Sequence, residues 1–593
     1  MSILELSKEQ EQLILLAKQG HNVLVDACIG SGKTTTIQAL CNQITDRNIL
    51  YLTYNKLLKI DAKDKILGKN VTVQNYHGYA YMTLKRLGVN VGISDLVQEF
   101  IRQKPPTYLD YALLIIDEYQ DIDCELAELL WIIKEQNPNI QIIAVGDMCQ
   151  KIYDKTTLNV PQFIQDFLGS YELITFTQCF RLSKDIATKL GNIWNKEIIG
   201  VNENCIVETK SVEEIIPILV NTPTKDILCL GARTGTMARV LNYLESNYPN
   251  KFNKRTVYAS IRNNDSGGAN LSNKVAFFTT YDSSKGLERN TCIVFDYTYA
   301  YWFERVHKPD VAYTIMRNIF CVASSRGKNH IIFVKADTPL LTEENLKTEI
   351  ATNKEYSTFV MSEMFDFKYK EDIESCYSLL KIKEIDLEDK SVIDIKSTDG
   401  LIDISPCIGQ FQETYFTAYD IESDINFIMA LHNDRPQINL SKNNTVEYLI
   451  LALTSYETRQ DRYRTQVTIP YVTEEQKDQI FDRLSTVLST DEMVQVQTEM
   501  SFKYEGHDNV KMVGRADVVK DSKVYELKFV SELQHEHFLQ CAMYMVSLGL
   551  KEGILWNIKN NKMYSIKISS KKKFLDAVVN TITKGTIKTY KKA

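Results

Sequence analysis

Apolar positions along this chain gather into short, β-branched runs with amphipathic stretches between them. In the first third the runs are Val23-Leu24-Val25, Asn48–Lys59 (NILYLTYNKLLK), Tyr111–Asp121 (YALLIIDEYQD) and Gln141–Val145. A continuous apolar run predicts a strand buried on both faces, as in a parallel sheet. Helical segments alternate with these strands, so the N-terminal half is expected to be doubly wound α/β. Ahead of the first strand, Ser7 is the expected N-cap of a helix carrying Leu13, Leu16 and Ala17 at helical spacing. Past residue 400 the pattern changes. Ser405-Pro406 predicts a helix start, Ser as N-cap and Pro at the first helical position, running past Glu413 toward Leu431. A helical region, Thr445–Leu488, follows, and then Val494–Tyr504, Val510–Lys520 and Val524–Val530 alternate with period two, which predicts an antiparallel meander. A helix over Glu536–Leu550 and a pair of strands from Ile554 complete the pattern.

Length divides this pattern into units. At 593 residues the chain exceeds one core, and about 150 residues per domain suggests three or four. The expected divisions are 1–165, 166–340, 341–397 and 398–593. The third is a connector, with a helix over Lys370–Lys381 and a strand over Ser391–Lys396, packed on a neighbour. Hydrophobic content of 44% and charged content of 24% describe a globular protein, and the net charge of −7 supplies no global basic field, though a local basic groove remains compatible with it. The twelve cysteines are scattered singly, without a C-x-x-C pair, and read as reduced, buried thiols. MSILELSKEQEQ has no basic region leading into an apolar one, and no apolar run approaches about 18 residues. A cytoplasmic protein without a membrane segment is expected.

The chemistry concentrates first at VLVDACIGSGKTTT, Val23 to Thr36, where strand, glycine-bearing loop and helical segment follow in the order of a phosphate-binding loop. Lys33 would reach β- and γ-phosphates, Thr34 would hold Mg²⁺, and the helix N-terminus would add positive charge. The spacing is that of G-x-x-x-x-G-K-[ST] with Ala27 in place of the first glycine. The plainer reading is a glycine-rich turn that contains a lysine. At the end of the next apolar strand Asp117 suits Mg²⁺ and Glu118 suits polarisation of an attacking water; after Gln141–Val145, Gln150 could sense the γ-phosphate.

These segments, with those that follow, resemble superfamily 1 DNA helicases of the UvrD/Rep/PcrA group. LSKEQ is similar to the Q motif, DACIGSGKTT to motif I, YLTYNK to motif Ia, DEYQD to motif II and VGDMCQKIY to motif III. FTQCFRLS, TTYDSSKGLE and VASSRGK are similar to motifs IV, V and VI. The resemblance implies two RecA-like parallel-sheet lobes with ATP between them. It places Gly30, Ser31, Gly32, Lys33, Thr34 and Thr35 on the phosphates, Gln10 and Phe180 on adenine, Glu288 near the ribose, and Arg181 and Arg326 on the γ-phosphate. The sequence departs from the family in three ways. After Tyr153 come Asp154, Lys155, Thr156 and Thr157 in place of the aromatic that stacks on a single-strand base; Asp282 replaces the motif V histidine; and the intervals that carry accessory subdomains are short.

A second cluster lies in the C-terminal third. Glu526 and Lys528, two apart on a strand, share a face, and Asp517 on the adjacent strand can join them. Two carboxylates and a lysine suit Mg²⁺ held against a phosphodiester; charge pairs on an exposed strand face are the plainer reading. The order Glu413, Gly514-Arg515-Ala516-Asp517, Glu526-Leu527-Lys528, then Gln540 and Tyr544 resembles the RecB-type branch of the PD-(D/E)XK nucleases. The resemblance implies an α/β nuclease domain with Asp517, Glu526 and Glu413 as metal ligands for Mg²⁺ or Mn²⁺, Lys528 as the catalytic lysine, and Gln540 and Tyr544 in support. With Cys541 standing alone, no iron–sulfur cluster is expected.

Together these readings predict an ATP-dependent helicase or translocase moving 3′ to 5′ on single-stranded or tailed DNA and coupled to a nuclease, resembling AddA and RecB in reduced form. A protein partner or an oligomer is left open. The alternative is an ATP-switched DNA-binding or assembly module with weak or no unwinding, or a nuclease regulated by ATP.

Overall fold

The structure, a computed structural model, describes residues 5–54, 59, 62–63, 65–89, 96–106, 110–259, 274–306, 312–349, 358–397, 399–417, 420–431, 445–504 and 509–593. Among these residues the strands build three large sheets. In the first, six parallel strands lie in the order Val71–Asn75, Ile49–Thr53, Leu113–Asp117, Gln141–Gly146, Val23–Ala27, Glu172–Phe176. The Leu113–Asp117 and Gln141–Gly146 strands are buried throughout because successive side chains serve opposite faces. Leu114, Ile116 and Ile142 enter one core, and Leu113, Ile115 and Ile143 enter the other.

The second sheet is also parallel, in the order Val257–Ala259, Ala276–Thr279, Ile227–Leu230, Arg289–Val294, Gly327–Val334, Ile206–Lys210. The third is mixed, in the order Thr358–Val360, Val510–Lys520, Lys523–Lys528, Glu552–Asn557, Lys562–Ile568, Leu380–Ile385, with Met493–Phe502 also paired to Val510–Lys520. The meander of three strands from Met493 to Lys528 is antiparallel, and Glu552–Asn557 then runs parallel to Lys523–Lys528. No described helix is long and apolar enough to cross a membrane.

Several boundaries differ from the sequence expectation. The strand Glu172–Phe176 closes the first sheet beside Val23–Ala27, so that sheet runs past residue 165. The segment taken as a connector is built into the third domain. Thr358–Val360 pairs with Lys511–Val513, the helix Lys370–Tyr377 precedes Leu380–Ile385, and that strand pairs with Met563–Ile568. These pieces cover sheet edges that would otherwise expose unpaired backbone. Ser391–Lys396 is irregular rather than a strand, and Ile393 and Ile395 reach the core without a ladder. The long helix from Ser405 is two, Ser405–Thr417 and Ile421–Leu431.

The third domain rests on both parallel-sheet lobes. Toward the first lobe, Lys584 Nζ donates to Asp154 Oδ2 at 2.8 Å, Thr156 Oγ1 donates to Glu371 Oε1 at 2.6 Å, and Lys370 pairs with Glu125. Toward the second, Lys254 Nζ lies 2.8 Å from Asp399 Oδ2, and Arg462 Nη2 meets Glu245 Oε1 at 2.6 Å with both side chains buried. Removing one partner of such a pair strands a buried charge, at a cost of about 3–5 kcal/mol. Arg462→Met is therefore expected to lower stability by that order in chemical denaturation. The double variant Glu245→Met with Arg462→Met is expected to cost less than the single one.

Candidate functional site

The strand Val23–Ala27 leads into a loop in which Gly30 and Gly32 hold φ of 68° and 76°. A Cβ on Gly30 would stand 2.8 Å from Arg181 Cβ, which leaves no room for one, and at Gly32 the left-handed backbone itself makes a side chain strained. The helix Lys33–Gln43 has no side-chain cap, which leaves its first-turn N–H groups and positive dipole end facing the loop. Thr34 and Thr35 are half-buried in that turn. Ser31 is buried, and its Oγ has no hydrogen-bond partner among the described residues. Lys33 is 8% exposed, with Nζ 3.6 Å from Glu118 Oε1.

Asp117 and Glu118 stand at the carboxyl end of Leu113–Asp117. Tyr51 OH donates to Asp117 Oδ2 at 2.9 Å, while Asp117 Oδ1 is buried and has no hydrogen-bond partner among the described residues. Glu118 sits in left-handed backbone at φ 56°, and its carboxylate accepts from the Gln120 amide. Such a conformation costs a non-glycine residue of order 1–3 kcal/mol and is found where the surroundings enforce it. Burial, reinforced by the neighbouring Glu118, pushes Asp117 above the usual carboxylate range. Burial acts the same way on Glu118, but Lys33 and Lys285 outweigh it and hold that carboxyl low.

Groups packed with the second lobe complete this cleft. Gln150 Nε2 donates to Asp147 Oδ2 at 2.8 Å, and Lys196 Nζ reaches Asp147 Oδ1 at 3.1 Å and Asp26 Oδ1 at 2.7 Å. Lys285 Nζ donates to Asp121 Oδ1 at 2.6 Å and to the Gln150 carbonyl at 3.1 Å. Arg326 is buried, donates from Nε to the Val322 carbonyl at 2.9 Å, and has no hydrogen-bond partner at Nη2 among the described residues. Burial, then the charge of Arg181, pushes its guanidinium down to about 9. Arg181 pairs with Glu288, which Lys328 also approaches at 2.7 Å. Burial pushes Glu288 up, yet Arg181 and Lys328 prevail and hold it at about 2.

Phe180 is 42% exposed, and its backbone N–H donates to the Gly30 carbonyl at 2.9 Å. Gln10 Oε1 accepts from Ser7 N at 2.9 Å and its Nε2 donates to the Ser31 carbonyl at 3.0 Å, so the amide braces the loop with one donor hydrogen and one lone pair. The sequence reading did not single out Lys196, which stands in no motif, nor Tyr51, whose hydroxyl serves Asp117 from the neighbouring strand. The structure places Asp282 in an ion pair with Arg305 Nη2 at 2.8 Å.

In the third domain Asp517 and Glu526 lie on adjacent antiparallel strands. Glu526 is 1% exposed; its Oε1 accepts from Lys528 Nζ at 2.7 Å and from Gln540 Nε2 at 2.8 Å. Its Oε2 is buried with no hydrogen-bond partner among the described residues. Burial raises Glu526, and Lys528 opposes the shift in part. Asp517 Oδ2 accepts from Leu527 N at 2.7 Å, and Gln540 also donates to Tyr544 OH at 3.1 Å. A Cβ on Gly514 would fall 2.6 Å from Tyr544 Cε1, so glycine there admits the tyrosine ring. These residues line a cleft of about 810 Å³ with Gln410 and Arg515, two polar groups the sequence reading gave no role. The Glu413 side chain lies outside the described residues. Among the described residues no group of three or more His, Cys, Asp or Glu is gathered around one point, and the twelve cysteines are free.

Residues 10–156 match a family model described as an AAA domain, and residues 483–568 match that of the PD-(D/E)XK nuclease superfamily. Curated proteins give no match. Solved structures similar to this chain include the Pif1 helicase from Candida albicans, at 12% identity over 58% of this chain and 98% of that one with a TM-score of 0.31. Bacteroides sp Pif1 in complex with ADP-AlF4 gives 14% identity over 58% and 95% with a TM-score of 0.32. The DUF1998 helicase MrfA bound to DNA gives 12% over 57% and 50% with a TM-score of 0.33.

The Glu288 contacts carry a pH signature. Its folded value lies below the unfolded one, so the stability it contributes is present above the unfolded value and lost on acidification through the folded one. Melting profiles should show Glu288→Gln less stable than the wild type above pH 4.5, with the difference closing as pH falls toward 2.

Proposed function

We propose that this chain, a helicase-like AAA domain joined to a PD-(D/E)XK nuclease domain, hydrolyses ATP to move along single-stranded DNA and cuts the strand with its C-terminal domain. The observation that supports this most directly is a pair of buried carboxylate oxygens without hydrogen-bond partners among the described residues. Asp117 Oδ1 lies beside the Lys33 loop, and Glu526 Oε2 lies beside Lys528. An unsatisfied buried acceptor costs stability until a donor or cation arrives, so both sites fit a divalent ion. Asp117 and Thr34 would hold Mg²⁺ at the first; Asp517 and Glu526 would hold Mg²⁺ or Mn²⁺ at the second. A bound ion there offsets phosphate charge and makes an attached water more acidic.

The protein's own groups do the remaining work. Lys33 exchanges Glu118 for a phosphate, which leaves Glu118 able to take a proton from the attacking water. Gln10 keeps the Ser31 backbone in place, and Phe180 offers an open ring face to a purine. Arg181 and Arg326 bring positive charge to the γ-phosphate from the opposite side, suited to it by the fixed fork of guanidinium donors. In the third domain Lys528 sets the Glu526 carboxylate and faces the scissile phosphate, while Gln540 fixes the other side of the same oxygen. Movement 3′ to 5′ follows from the helicase resemblance. Recombinational repair, phage DNA metabolism and antiviral defence are settings for such an enzyme.

One observation favours a second reading, an ATP-driven switch with little unwinding. The segment after motif III, where the resemblance would place a base-stacking aromatic, is held by the third domain through Lys584 and Glu371. End-labelled duplexes with 3′ or 5′ single-stranded tails, given Mg²⁺ and ATP, separate the two. Coupled engines predict that Lys33→Ala loses strand displacement and about 100-fold or more of ATP hydrolysis, and that Lys528→Ala displaces strands without cutting them. ATP consumption on DNA with every strand left paired and whole would instead identify the switch.

A further inference from the structure

A smaller cavity of about 360 Å³ opens beside the C-terminal cleft and shares Gln410 and Arg515 with it. Its apolar lining includes Leu453 and Phe427, a residue 65% exposed. Its polar lining carries two carboxylates, Asp424 and Glu457, together with the amides of Gln410 and Gln495. Gln410 Oε1 is buried without a hydrogen-bond partner among the described residues. Gln495 holds φ of 51° in mid-strand, between the pairs Val494–Val518 and Val496–Ala516, and so falls opposite Asp517. A left-handed glutamine inside a strand is unfavourable, and such residues persist where the site over-determines them.

This lining suits one kind of occupant. An open aromatic face and an aliphatic wall accept a planar ring, as in stacking of unpaired bases. The carboxylates repel a phosphate but accept from exocyclic amino groups, and a glutamine side chain can pair with a base edge. Arg515 stands at the junction, 48% exposed and 3.9 Å from Asp424, where a cation could meet the backbone between a base in this cavity and a phosphate in the cleft. We propose that the cavity holds one unstacked nucleobase of a DNA strand whose backbone lies in the cleft, and that its acceptors favour cytosine or adenine over thymine. The inference rests on the nuclease reading of the cleft and adds to it a base preference at one position beside the cut.

The test uses the full chain carrying Phe427→Trp, with Ca²⁺ in place of Mg²⁺ and single strands of oligo(dC), oligo(dT) or an abasic backbone of equal length. The added tryptophan emission should respond to oligo(dC) at about tenfold lower concentration than to the abasic strand, with oligo(dT) between them. Equal responses to oligo(dC) and the abasic strand would overturn the proposal. Gln495→Gly removes the amide while relieving the backbone, so it is expected to keep the fold and bring oligo(dC) and oligo(dT) cutting within about twofold of each other; an unchanged preference would count against the assigned edge. The emission readout needs no cleavage. Strands left whole with Mg²⁺ but still discriminated by the tryptophan would sink the nuclease reading alone, whereas base-blind cutting with equal emission changes would sink the base site alone.

Discussion

Buried cations paired to carboxylates within and across a cleft are what hold this molecule's first site in shape. A triphosphate held between two sheets would need positive groups on both sides, and such groups repel one another until an anion arrives. Here each has a stand-in. Lys33 faces Glu118, Lys196 lies between Asp26 and Asp147, Lys285 meets Asp121, and Arg181 meets Glu288. The Lys196 and Lys285 links also tie the second lobe to the loop and to the Gln150 backbone, so the positions of Asp147, Asp121 and Gln150 depend on where that lobe sits. Removing one carboxylate would leave a buried cation uncompensated, which is why these links are expected to break by exchange for phosphate rather than by simple opening.

The third domain adds a second constraint. It holds the first lobe at Asp154 and Thr156 and the second at Glu245 and Lys254, so lobe motion must be absorbed by one of these contacts. Asp154 follows Gln150 closely in the chain. A shift of Gln150 on loss of the γ-phosphate would therefore be felt at Lys584, on the same domain that carries Asp517 and Glu526. Coupling by this route would be a direct mechanical path, distinct from delivery of a strand by translocation.

Much of this was legible in the sequence because its chemistry is local. Strand, glycine loop and helix occur within VLVDACIGSGKTTT, the two acids close a continuous apolar strand, and Glu526 and Lys528 share a face by the two-residue period of a strand. What was not legible depends on long-range pairing. Leu380–Ile385 and Thr358–Val360 are short and polar on one side, and only the edges they cover, more than 150 residues further along the chain, identify them as part of the third sheet. Lys196 lies in no motif, and its role emerges from two aspartates brought together by parallel pairing of their strands. The brace that Gln10 gives the phosphate loop was not legible either, because the Ser31 carbonyl that accepts from its amide comes from 21 residues further along the chain.

Both lobes are expected to act on one nucleotide, and Arg326 is the residue on which to test this because its Nη2, without a hydrogen-bond partner among the described residues, belongs to the second lobe while its charge reaches Glu118 on the first. The measurement is ATP binding by a fluorescent analogue alongside single-turnover hydrolysis, for the wild type and Arg326→Ala. The expected result is binding within about threefold of wild type and hydrolysis reduced by about 10³ or more, as for loss of an arginine that serves the transferring phosphoryl group. Hydrolysis at the wild-type rate in a variant that still binds ATP would contradict it.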